Sequence, residues 1–259
     1  MNNVKLSNRL QLVLEQIPTG SKLADIGSDH ALLPVAALRS GKAVSAIAGE
    51  VNPGPYEAAR RGVAEAGLGK QIEVRRGDGL EVLEPGEADS ISIAGMGGAL
   101  IAAILDRGKS LGKLAGVKLL ALQPNVGEDI LRRWLLNNHW VLTAEHILEE
   151  DGKIYEILTA VPDGEAAGIT NEQLYRERQL AGGNMVCSKE LLLQMGPWLL
   201  QTPNAVFTAK WQSEIAKLEG ILASLSRSEL ESAEEKRSRI TAQITTISEV
   251  LKCTPKDKL

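Results

Sequence analysis

The chain has 259 residues, enough for one large domain or two modest ones with buried cores. A hydrophobic share of 44% excludes a disordered chain, and an aromatic share of only 3% makes the core aliphatic. The formal net charge of -4 excludes a broadly basic nucleic-acid surface, while leaving room for a local basic patch.

The opening MNNVKLSNRL is polar and has no signal-peptide core, so a cytoplasmic location is expected. Ser7 to Ile17 has helical spacing with Ser7 as its cap. Lys22 to Gly27 is a short apolar run closed by glycine, the pattern of a buried strand. Leu32 to Arg39 reads as a helix, Ala43 to Glu50 as a strand and Pro55 to Ala66 as a helix closed by Gly67. Ile72 to Asp78 and Ala88 to Gly95 are further strands, followed by a helix over Ala99 to Asp106. A fifth strand runs from Val117 to Gln123, and another helix from Asp129 to Asn138. Regular alternation of this kind implies a parallel sheet with helices on both faces. Two apolar-rich runs then follow, Trp140 to Leu148 and Ile154 to Val161, as a β-hairpin around Asp151 and Gly152. The expected fold class is α/β, a Rossmann-like sheet of the methyltransferase type that ends in an antiparallel hairpin.

The stretch PDGEAAG, residues 162–168, breaks the pattern. It divides an expected catalytic domain, 1–162, from an expected helical tail, 169–259. Beyond it no strand is expected. Asn171 to Leu180 is predicted as one helix, and Lys189 to Leu200 as another that Gly196 and Pro197 must kink or split. Ala205 to Leu225 and Glu229 to Leu251 carry apolar residues at three- and four-residue steps: Ile215, Leu218, Leu222 and Leu225, then Ile240, Ile244, Ile247 and Leu251. With a break at 226–229, they predict an antiparallel, coiled-coil-like helical hairpin. That hairpin meets its own hydrophobic demand, so a monomer is expected. Cys187 and Cys253 lack metal or disulfide spacing, so no metal is expected. No apolar run is long enough to span a bilayer, and no membrane partner is expected.

The chemistry gathers at the strand ends. The turn after the first strand reads LADIGSDHALLP, residues 23–34. Its glycine places backbone N–H groups in a crevice outside the sheet. The further glycines of a dinucleotide turn are replaced by Ser28, Asp29 and His30, and Asp29 would repel a pyrophosphate. A ligand with a cationic or zwitterionic end fits better, as S-adenosylmethionine does. Asp25, Gly27, Ser28 and His30 would then surround its amino acid end. Glu50, beside Val51, ends the second strand where ribose hydroxyls could donate. Asp78, beside Gly79, ends the third where an adenine amino group could donate. Gly95, Met96, Gly97 and Gly98 end the fourth and leave room for a flat reactant.

Taken in order, DIGSDHALLP, GEVNPGP, RRGDGLEV, IAGMGG and LQPN resemble the bacterial tRNA adenine-N1 methyltransferases that modify position 22. Here ALLP stands where the family has an aromatic-containing AYLP, so Leu32 replaces the ring. The resemblance implies a methyltransferase domain with a helical tail, S-adenosylmethionine as cofactor and tRNA as partner. N1 of adenine is a neutral lone pair near pH 7, so positioning should dominate catalysis. Methylation leaves a cationic ring, and Asp29 is the expected catalytic residue, stabilising that charge or taking the N6 proton. Its structural alternative is a helix cap for Leu32 onward. Gln123 and Asn125 end the fifth strand, where Asn125 could meet a base edge. Lys5, Arg9, Arg60, Arg61, Arg132 and Arg133 are candidate phosphate contacts. Rival readings are a small-molecule or protein methyltransferase, a non-catalytic nucleoside-binding adaptor and, less favoured, an NAD-dependent enzyme.

Overall fold

A computed structural model describes residues 5–179, 185–225 and 231–253. It forms two compact units that divide between Leu174 and Tyr175.

In the first unit strand and helix alternate as α1 (Asn8–Gln16), β1 (Ser21–Ile26), α2 (Leu32–Arg39), β2 (Ala43–Glu50), α3 (Pro53–Ala66) and β3 (Ile72–Arg76). They continue as β4 (Ser90–Met96), α4 (Gly98–Ser110), β5 (Leu119–Pro124) and α5 (Glu128–Asn137). The unit closes with β6 (Trp140–Glu150), β7 (Lys153–Pro162) and the short α6 (Asn171–Leu174). Local rules explain the ends. Ser7 Oγ accepts from Leu10 N to cap α1, and Pro53 opens α3 while left-handed Gly67 closes it.

The seven strands lie in the order β3-β2-β1-β4-β5-β7-β6. β1 to β5 are mutually parallel, and β7 inserts antiparallel between β5 and β6. Helices cover both faces, so the central strands are largely buried, as β5 is along its whole length. Asp151 and Gly152 take φ values of 51° and 70°. Left-handed values at both central residues are what a two-residue hairpin requires, and Glu150 pairs with Lys153 across it. The chain reverses direction along the sheet between β1 and β4, which opens a crevice at their carboxyl ends.

One expected tRNA contact belongs to the interior instead. Arg132 on α5 is fully buried; its Nε donates to Glu145 Oε1 at 2.6 Å and its Nη2 donates to Glu156 Oε2. The guanidinium fastens α5 to the β6-β7 hairpin and offers nothing to a phosphate, whereas neighbouring Arg133 is exposed.

Asn171 Nδ2 donates to the Trp140 carbonyl at 3.1 Å, tying α6 to the sheet, and the unit boundary falls just after that helix. The helix predicted over Asn171 to Leu180 ends at Leu174, and Leu180 lies outside the described residues. Strands do not stop there. β8 (Arg178–Gln179) pairs antiparallel with β9 (Val186–Cys187). α7 (Lys189–Met195) starts on a Ser188 cap and stops at Gly196, whose φ is 91°. α8 (Ala205–Leu225) and α9 (Glu231–Cys253) pack against each other. They bury Phe207, Trp211 and Leu218 on one helix and Ile240, Ile247 and Val250 on the other. The break at 226–229 lies outside the described residues.

Candidate functional site

The crevice holds a cavity of about 770 Å³, within the range of small-ligand pockets. The ends of β1 to β4 bring Asp25, Gly27, Asp29, Glu50, Val51 and Asp78 to its wall. Gly79, Gly95, Met96 and Arg9 line it too. Ser28, His30, Lys5 and Arg61 are not part of that wall, nor are Gly97, Gly98, Gln123 and Asn125. Sequence reasoning missed the apolar side, Leu100 and Ile104 on α4. The one available signal was their position on the helix that follows the glycine run.

The first turn works differently from a backbone nest. The N–H groups of Gly27 and Ser28 both donate to the Gly49 carbonyl, at 2.9 and 3.1 Å, and Asp29 N donates to Gly27 O at 2.9 Å. All three amides are spent inside the protein. Gly27 has a φ of 74°, and a Cβ there would stand 2.3 Å from Met96 Cε. Its bareness is therefore needed for the left-handed turn and for Met96. What the turn presents to a ligand is carboxylate.

Asp25 is only 6% exposed and accepts from Ser92 Oγ at 2.6 Å. Burial pushes its carboxyl above the usual range, with the Ser28 and Ser92 side chains acting in opposition. Glu50, 7% exposed, is also raised by burial; the N–H groups of Val51 and Asn52 oppose the shift, and the negative charges of Asp29 and Asp25 add to it. Glu50 thus feels the negative charge of both Asp29 and Asp25, and a cation beside it would relieve that repulsion. Asp78 stands at the rim, its Oδ2 2.9 Å from Arg107 Nη1.

Asp29 is exposed at 72% of its side chain, 3.6 Å from His30 Nε2. It caps nothing: the residue before α2 is left-handed Ala31, and α2 has no side-chain cap. The helix-cap alternative for Asp29 falls with that observation.

The fifth strand end braces the fourth. Gln123 is fully buried; its Oε1 accepts from Gly95 N at 3.0 Å and from Arg9 Nη1. Its Nε2 donates to Pro124 O and Asn125 Oδ1, at 2.8 and 3.1 Å. Asn125 Nδ2 donates to Gly95 O at 2.8 Å. These amides shape the Gly95–Met96 turn, so Gln123 is a bracing residue with no edge left for a base. Gly98 also departs from expectation. It is buried, its N–H donates to Val126 O at 2.7 Å, and a Cβ on it would stand 2.0 Å from Gly127 O. Its missing side chain makes room for the β5-α5 loop, not for a reactant. Gly97 keeps open space, its nearest neighbour being Val126 Cγ2 at 4.0 Å. Arg9 sits at the crevice mouth over the Tyr155 ring, 5.3 Å from its centroid. Glu150 anchors the start of α1, its Oε1 accepting from Asn8 N at 2.6 Å and its Oε2 from Arg9 N at 3.3 Å. Among the described residues no group of three or more His, Cys, Asp or Glu could hold a metal ion.

Residues 23–249 match the family model described as tRNA (adenine(22)-N(1))-methyltransferase. A protein of Bacillus subtilis (strain 168) with that name is 45% identical over 253 residues, covering 97% of this chain and 99% of its own. The crystal structure of the B. subtilis M1A22 tRNA methyltransferase TrmK superposes with a TM-score of 0.84 at 42% identity, over 96% of this chain and 100% of that one. Streptococcus pneumoniae Sp1610 was solved in complex with S-adenosyl-L-methionine. It superposes with a TM-score of 0.77 at 40% identity, covering 95% of this chain and 100% of its own.

Proposed function

The chain belongs to the tRNA (adenine(22)-N(1))-methyltransferase family, and we propose that it carries out the family's reaction with Asp29 beside the acceptor base. It transfers a methyl group from S-adenosylmethionine to N1 of adenine 22 in tRNA. The observation that carries the residue assignment is the acidic wall of the crevice: buried Asp25 and Glu50, with Asp29 within electrostatic reach of Glu50.

S-adenosylmethionine supplies an electrophilic methyl on a sulfonium, and its cationic groups suit this wall. Asp25 faces the amino acid end, with the Gly27 to His30 turn behind it. Glu50 and Val51 take the ribose, Asp78 and Gly79 the adenine, and Gly95 and Met96 complete the pocket. The acceptor enters over Gly97, on a turn braced by Gln123 and Asn125, while Arg9 meets the nearby tRNA backbone. Lys5 and Arg61, both exposed, extend that basic contact. Asp29 stabilises the charge that develops on the ring. A stacked or paired adenine must first leave its stack, at a cost of a few kcal/mol.

The helical unit serves tRNA recognition, its α8 and α9 forming an antiparallel coiled-coil-type hairpin that keeps the protein monomeric. The expected compartment is the cytoplasm; no described helix is long and apolar enough to cross a membrane. Labelled-methyl transfer tests the assignment: tRNA should accept label, and the same tRNA with guanine at position 22 should not. A chain ending at Leu174 should bind cofactor yet transfer no label to tRNA; full transfer by that chain would give the helical unit another role.

Glu50 gives a second test. Its ionised form accepts hydrogen bonds, and its carboxyl is raised from the ordinary value. Cofactor affinity should therefore be full at neutral pH and fall as pH drops through the raised range. Glu50→Gln should weaken binding by about 1–3 kcal/mol and flatten that pH dependence. Calorimetry showing unchanged affinity and an unchanged pH profile would remove Glu50 from the pocket.

A further inference from the structure

The turn Asp29–Ala31 is held from outside. His30 and Ala31 take φ values of 57° and 53° in succession, and neither is glycine. Two adjacent left-handed residues with side chains are strained, and such strain persists only where neighbouring structure enforces it. The side chain of Ala31 is buried, so the turn cannot relax by swinging outward without exposing it. On the other side α3 packs closely against the turn. The approach is possible because residue 62 is glycine: a Cβ there would stand 2.5 Å from the His30 carbonyl oxygen. That obstacle is backbone, so no side-chain rotation can clear it. The same helix starts at the cavity, where Asn52 and Pro55 line the wall. One rigid element thus fixes both the ligand wall beside Glu50 and the turn that carries Asp29.

We propose that α3 clamps this strained turn through Gly62, which makes Gly62 and Ala31 positioning residues for the Asp29 carboxylate. The inference rests on the reading of Asp29 as the group beside the acceptor. Adding a methyl at residue 62 must push the His30 carbonyl away by several tenths of an ångström or more, and Asp29 moves with it. Misplacements of about 1 Å can cost on the order of 10²-fold in rate.

The test uses the full chain and three measurements: thermal unfolding, cofactor affinity by calorimetry and single-turnover methylation of tRNA. Gly62→Ala should fold, bind cofactor within about threefold of wild type, and methylate about 10- to 100-fold more slowly. In an Asp29→Asn background the same change should cost less than about threefold, because two changes acting through one group are not additive. Ala31→Gly adds no atom and permits the left-handed turn. It should also fold and bind cofactor yet lose rate, which decides the matter should Gly62→Ala not fold. Wild-type rates in both variants, with Asp29→Asn slow, would overturn the clamp and leave Asp29 in place. A full rate for Asp29→Asn, or a Gly62→Ala loss that is undiminished in the Asp29→Asn background, would show that nothing passes through Asp29 and would also overturn it.

Discussion

Asparagine at position 29 should leave a folded protein that binds cofactor and tRNA nearly normally but methylates about 10²–10⁴-fold more slowly in a single turnover, the usual scale for a lost acid–base group. Asp29→Asn keeps the size of the side chain and a carbonyl that accepts hydrogen bonds. It removes the negative charge and the capacity to take a proton. The comparison is informative because Asp29 supports no helix cap, so lost activity cannot be put down to a frayed α2. Its carboxylate is largely exposed at the cavity wall, and in the proposed role it would lie beside a ring that becomes cationic as its N1 is methylated. Glu50 feels the Asp29 charge, so the variant should also lower the Glu50 carboxyl toward its ordinary value and shift the pH dependence of cofactor binding to lower pH. A rate within a few-fold of wild type would make Asp29 a bystander. The chemistry would then rest on alignment by the turn around Gly95 and Gly97.

Replacing Arg132 should have the largest effect on stability. Arg132→Met removes the cation and leaves Glu145 and Glu156 buried without their guanidinium. Breaking a buried ion pair from one side costs about 3–5 kcal/mol, a large part of a domain's total. Urea unfolding should show the midpoint fall accordingly. The triple change Arg132→Met, Glu145→Leu and Glu156→Leu should recover most of the loss, since a well-packed apolar replacement leaves no charge to desolvate. A cost below about 1 kcal/mol for Arg132→Met would mean that the three side chains are not buried together.

The elements of the first unit are legible because β1, β2 and β4 are largely apolar runs that end on or beside a glycine or an acid, and the longer helices repeat at 3.6. The acids of the crevice are legible for the same reason: Asp25, Glu50 and Asp78 stand at successive strand ends that a parallel sheet must bring to one edge. Arg132 was hidden by its neighbour, because an Arg-Arg pair suggests a basic face. The apolar stripe of α5 could have placed it, since buried Leu131 and Leu135 flank it on the same side. Gly98 could not be read at all. A glycine shows that a side chain is missing, not whether a ligand or the Gly127 carbonyl uses the room. The inward-turned amides of Gly27 and Ser28 depend on Gly49, more than twenty residues away, and the two-residue strands β8 and β9 pair across a gap too long for any local pattern to reveal.

Transfer of the methyl group to N1 of adenine at position 22 is the step on which the residue roles depend. It is tested most directly by digesting tRNA to nucleosides after incubation with the enzyme and S-adenosylmethionine, then separating the methylated products. The expected product is 1-methyladenosine, in the fragment that contains position 22 and absent from tRNA carrying guanine there. A methyl group on N6 or C2 of adenine, on another base, or on an adenine elsewhere in the tRNA would contradict it.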